Sequence, residues 1–187
     1  VRGIDISSGM VSQYHAEAAK AGHPAEKMRA VVGDITADTD AADGNDANEL
    51  DGPEWRGFDL AVISMALHHV ADPAAAVRKL AERLAPGGTL LVLDFAAAGE
   101  KMEEDGDEDA GKEEGKGAES RGMPAPEAVE ATISKHGFTR DDMRGYFGAA
   151  GLAGGFGWKW FDGEAPFPEK YGGPRRLVMV RGSKALA

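Results

Sequence analysis

The sequence has no cysteine, which excludes disulfide bridges and thiolate metal centres. It has no apolar run of about eighteen residues, the length a membrane-spanning helix needs. Its first residues lack the basic-then-apolar pattern of a secretory leader. These absences lead us to expect a soluble cytoplasmic protein with no membrane partner. Basic charge is also scarce, with 21 Lys and Arg against 32 Asp and Glu, a formal net charge of −11. No basic footprint for a phosphate backbone is present, so no nucleic-acid partner is expected.

The 187 residues, 42% of them apolar, suit a single domain with its own core. The acidity is local. Residues 37–54 carry seven acids and no base, residues 99–121 carry ten acids and four bases, and the remainder is close to neutral. Residues 37–57 read as an acidic loop with at most one weak turn of helix. Residues 99–122 hold too few apolar groups to offset the entropy of ordering and read as a disordered acidic insertion within one domain, 1–187.

Residues 1–6 (VRGIDI) read as a strand, and Ser7 or Ser8 can cap the helix that follows. Residues 30–34 (AVVGD) read as a second strand. Residues 58–64 (FDLAVIS) form a continuous apolar run, expected to be buried on both faces of a parallel sheet. Asp72 and Pro73 open a helix that Pro86-Gly87-Gly88 should close, and residues 89–95 (TLLVLDF) return as a strand. A further helix is expected near 128–135. Thr139 and Asp142 have capping-box spacing before another helix. Phe156, Trp158 and Trp160 alternate as in a strand, and residues 177–180 supply the last one. The final two strands, joined without a helix, should pair antiparallel at the sheet edge.

Four segments in order carry a resemblance: GIDISSGMV (3–11), VVGDI (31–35), the long run from Phe58 to Phe95, and HGFTRDDMRGYFGAAGL (136–152). Together they resemble the class I S-adenosylmethionine-dependent methyltransferases of small-molecule type. The resemblance implies an α/β fold: a doubly wound, Rossmann-like, mostly parallel sheet with an antiparallel C-terminal strand. The family's first strand and glycine-rich turn have no counterpart in the sequence. The chain is therefore expected to be N-terminally truncated, leaving residues 1–6 and 58–64 as unpaired inner edges.

The resemblance also implies roles for particular residues. Asp5 accepts from the ribose hydroxyls of S-adenosyl-L-methionine, with Ile6 on the adenine face. Asp34 accepts from the adenine amino group, Ile35 covers the ring edge, and the methionine moiety passes Ser64. Blander readings stand beside these: a solvated acid or helix cap for Asp5, core packing for Ile6, a turn for Asp34. His68 and His69 are the candidate catalytic pair, since a neutral imidazole can act as a general base. Neighbouring side chains diverge, so the two are not expected to share a metal. The expected activity is methyl transfer to a small-molecule substrate. A non-catalytic remnant of the same fold and an NAD-dependent oxidoreductase are the alternatives.

Overall fold

Side-chain caps start the three α-helices found among the described residues. In the computed structural model these are residues 1–37, 50, 52–101, 134–162, 164–165 and 174–186. Most of the two acidic stretches, and residues 128–133 of the helix expected near 128–135, lie outside them, while Ser134 and Lys135 are not helical. Strand β1 (Arg2–Asp5) leads into α1 (Ser8–Lys20), where the Ser7 hydroxyl accepts the Met10 N–H at 3.3 Å. Strand β2 (Arg29–Val32) follows, then a 3₁₀ turn at Pro53–Trp55 and β3 (Phe58–Ser64). A second 3₁₀ turn, Leu67–His69, precedes α2 (Pro73–Glu82). There Asp72 accepts the Ala75 N–H at 2.9 Å, and Pro73 lacks the N–H that a first helical position leaves unbonded. The remaining elements are β4 (Leu84–Phe95), α3 (Arg140–Ala149), β5 (Gly154–Trp160) and β6 (Leu177–Ser183). The capping box before α3 is complete: Asp142 N–H donates to the Thr139 hydroxyl, and Thr139 N–H to the Asp142 carboxylate, both at 3.0 Å.

The strands form two hydrogen-bonded sheets. β1 and β2 pair in parallel, and a four-stranded sheet runs β3-β4-β6-β5. β3 pairs with β4 in parallel, whereas β6 is antiparallel to both β4 and β5. β6 is thus the one reversed strand of its sheet, the arrangement expected of the C-terminal strand. Among the described residues β1 bonds only to β2, and β3 only to β4. Each sheet therefore ends in an open edge, on the two segments expected to be inner edges.

α2 and α3 pack against each other and against β4 and β5. They cover Leu90, Val92, Trp158, Val178 and Val180, and with Leu67, Met143 and Phe147 these form the main core. A Cβ at Gly182 would collide with the Leu152 carbonyl and the Phe147 ring, so the close seating of α3 on β6 requires glycine there. A smaller core of Val31, Leu50 and Trp55, with Ile4 against it, holds the two-stranded sheet.

Two expectations are corrected. β3 is not buried on both faces: Leu60 is 55% and Val62 53% exposed. Period-2 geometry turns both to the side away from the main core, and among the described residues β3 has a hydrogen-bonded neighbour along only one edge. α2 also ends before Pro86-Gly87-Gly88, because the Arg83 N–H bonds to the Leu80 carbonyl and the Arg83 carbonyl accepts the Phe58 N–H. Pro-Gly-Gly instead makes a bulge inside β4, where Phe58 pairs with Leu84 but Leu60 with Thr89. Gly87 has φ of 78°. A Cβ on Gly88 would lie 2.7 Å from the Phe58 carbonyl oxygen.

Candidate functional site

A strand's last residue places its side chain at the sheet rim, so the carboxyl ends of β1, β2 and β3 set the site. Asp5 closes β1 and is half-buried. Its Oδ1 accepts the Ser7 N–H at 2.8 Å, fixing the carboxylate where the chain turns into α1. Ile6, beside it, is 77% exposed. Large apolar side chains gain little by facing water, so this is an uncovered apolar surface at the rim. Asp34 lies two residues past the end of β2 and is exposed. Its Oδ1 accepts both the Thr36 N–H and the Thr36 hydroxyl at 2.7 Å, an Asx turn that orients the carboxylate. The Gly33 N–H donates to the Asp5 carbonyl at 3.0 Å, tying the two strand ends together. Ile35 is half-buried next to Asp34.

Ser64 ends β3 and is exposed. Met65 follows with φ of 52°, the only non-glycine residue with positive φ among the described residues. Left-handed backbone costs an L-residue about 1–2 kcal/mol. Here the Met65 N–H bond to the Leu93 carbonyl, at 2.8 Å, holds the chain in that turn. Beyond it lies the Leu67–His69 turn. His68 is buried and His69 half-buried. Their rings do not diverge as expected for neighbours: the centroids are 4.0 Å apart and the planes tilted by 41°.

His68 has a partner that sequence reasoning missed. Its Nδ1 lies 2.7 Å from Oδ1 of Asp94, a residue of β4 with no exposed surface. The His68 N–H donates to Asp94 Oδ2 at 3.2 Å, and the Phe95 N–H to Oδ1 at 2.7 Å. The signal was one acid within the apolar run of residues 89–95. Alternation along β4 turns Asp94 to the same side as Leu90 and Val92, into the core. The Ser134 and Lys135 N–H groups both donate to the His68 carbonyl, at 2.9 and 3.0 Å, and the Ser134 hydroxyl to that of His69 at 3.0 Å. The histidine turn is therefore held from β4 on one side and from the segment before α3 on the other.

The structure thus brings Asp5, Ile6, Asp34 and Ile35 together on adjoining strand ends of one sheet, and Ser64 with His68 and His69 on the other. A cleft of about 670 Å³ opens elsewhere, lined by Val1, Arg2, Glu26, Lys27, Glu54 and Phe58 among others. It lies at the amino ends of β1 and β3 and includes none of the expected site residues. Among the described residues no three His, Asp or Glu side chains gather as a metal site. No helix among them is long and apolar enough to cross a membrane.

Parallel strands joined through helices, with one antiparallel strand in the larger sheet, define a Rossmann-like α/β class of fold. Residues 1–154 match the methyltransferase domain family, and the chain belongs to that family. An uncharacterized methyltransferase of Schizosaccharomyces pombe is 37% identical over 98 residues, which are 52% of this chain and 32% of that protein. The match therefore spans about a third of that relative's length. The YcgJ protein of Bacillus subtilis superposes over 100% of this chain and 82% of its own, with a TM-score of 0.60 and 14% identity. A SAM-dependent methyltransferase of Methanosarcina mazei covers 100% of this chain and 82% of its own, with a TM-score of 0.58 and 16% identity. At such identities the two structures establish the shared fold.

Proposed function

We propose that this chain is a single domain that transfers a methyl group from S-adenosyl-L-methionine to a small-molecule acceptor. One observation carries the reading: in a methyltransferase-family chain, two oriented carboxylates, Asp5 and Asp34, stand at the ends of adjacent parallel strands with the uncovered Ile6 next to the first. The set of acceptors fits a nucleoside. Asp5 spends Oδ1 on Ser7, and its Oδ2 can accept from a ribose hydroxyl. Asp34 suits the adenine amino group, and Ile6 and Ile35 suit the ring. When bound, S-adenosyl-L-methionine supplies a methyl carbon already activated by its sulfonium. The protein's part is chiefly to align the acceptor and exclude water. His69 and His68, beyond Ser64, are the residues we assign to accept the acceptor's proton.

The open edges of β1 and β3 support the reading that one more parallel strand belongs between them. That strand would complete the nucleoside site, so the 187 residues alone are expected to hold S-adenosylmethionine only weakly. Titration calorimetry tests both ideas. S-adenosylmethionine should bind the 187 residues weakly, and at least tenfold more tightly a longer polypeptide that supplies a strand and a glycine-rich turn ahead of Val1. In the tighter binder, Asp5→Ala should weaken binding at least tenfold, since a charged hydrogen-bond acceptor is worth about 1.5–3 kcal/mol. Equal affinity with and without Asp5 would remove it from the site.

A further inference from the structure

We infer that Asp94 is a positioning residue that locks His68 in the Nδ1–H tautomer and leaves Nε2 as the nitrogen that takes a proton. The functional half of this inference rests on the methyl-transfer reading; the structural half does not. Asp94 is fully buried and stands within hydrogen-bond distance of three groups, the N–H of His68, the N–H of Phe95 and the Nδ1 of His68. Two of these are backbone N–H groups, which can only donate. A buried carboxyl surrounded by donors is best satisfied as an ionised, acceptor-only group. The 2.7 Å approach of Nδ1 to Oδ1 then requires a proton on Nδ1. In a neutral imidazole the other nitrogen, Nε2, consequently carries the lone pair.

The surroundings hold this arrangement. The two N–H groups from Ser134 and Lys135 fix the His68 carbonyl. The Phe95 ring lies 5.2 Å and the His69 ring 4.0 Å from that of His68, which limits its rotation. His68 rather than His69 is therefore the oriented base. When an O–H or N–H acceptor gives up its proton, the proton goes to Nε2 and the electron pair stays on the acceptor. His68 then carries two N–H groups, and the Asp94 carboxylate, already in place, faces the new positive charge.

Long-range proton–nitrogen correlation spectra of the nitrogen-15-labelled chain at pH 8 read the tautomer directly, with His68 assigned by the signals lost in His68→Gln. The inference expects Nδ1–H in the wild type. It expects a shift toward Nε2–H, the tautomer a free imidazole favours, in Asp94→Ala, which removes the carboxylate oxygen that holds the Nδ1 proton. A wild-type Nε2–H signal, or the same tautomer in both proteins, overturns it. The wild-type spectrum decides even if Asp94→Ala does not fold. The measurement uses neither cofactor nor acceptor, so failure of the methyl-transfer reading would appear separately, as absent S-adenosylmethionine binding by the longer polypeptide beside an intact Nδ1–H signal.

Discussion

Asp142 shows how one side chain serves both a helix and a charge pair. It completes the capping box with Thr139 and meets Lys135 Nζ at 2.9 Å, and Nζ also donates to the Tyr146 hydroxyl at 3.2 Å. Partial burial opposes the charge on Asp142, but the Thr139 N–H, the Lys135 ammonium and the Thr139 hydroxyl outweigh it and hold the carboxyl below its ordinary 3.8. Burial likewise opposes the charge on Lys135, yet Asp142 and Tyr146 raise it above its ordinary 10.5. The depressed acid contributes stability above pH 3.8 that is lost as pH falls through its folded value. The raised base contributes below pH 10.5 and loses its share as pH climbs through its own folded value. Asp142→Ala should cost about 1 kcal/mol near neutrality. Urea unfolding at several pH values checks this: the gap to wild type should be steady from about pH 5 to 9 and close below the ordinary carboxylate range. A gap that persists unchanged in acid would contradict the account. Met65 gives a second prediction at this scale. Glycine relieves its positive φ, so Met65→Gly should raise Tm by a few degrees in a thermal melt, whereas a lowered Tm would show that the side chain matters more than the backbone.

Among the elements, the turn that ends in Trp55 joins the two-stranded sheet to the rest. Trp55 is 1% exposed and packs with Val31, Leu50 and Ile4, while Arg83 at the end of α2 donates to the Leu50 and Trp55 carbonyls. Trp55→Ala should cost about 3–5 kcal/mol and free β1 and β2 for amide exchange before the four-stranded sheet. Simultaneous exchange of both sheets at wild-type rates would contradict that role. Much of this level was legible in the sequence, because caps and strand periods are local. Ser7, Asp72 and the Thr139–Asp142 box all act within three residues of themselves. What was not legible depends on partners far along the chain. The Pro86-Gly87-Gly88 bulge needs Phe58 opposite it, and the exposure of Leu60 and Val62 depends on which neighbours β3 has. The His68–Asp94 bond joins residues 26 apart. At the site, Asp5 and Ser64 close β1 and β3, and Asp34 lies two residues past the end of β2.

For the molecule as a whole, the central claim is that nucleoside recognition occurs at the carboxyl ends of the parallel strands and not in the cleft at their amino ends. The two places share no residues, so one experiment separates them. Amide hydrogen exchange of the longer polypeptide that supplies a strand and glycine-rich turn ahead of Val1, with and without S-adenosylmethionine, reads both rims at once. The account predicts slowed exchange at residues 5–8, 33–36 and 64–69, with residues 23–28 and 54–58 unchanged. Protection confined to the second pair of segments, or none at either rim at saturating ligand, would contradict it.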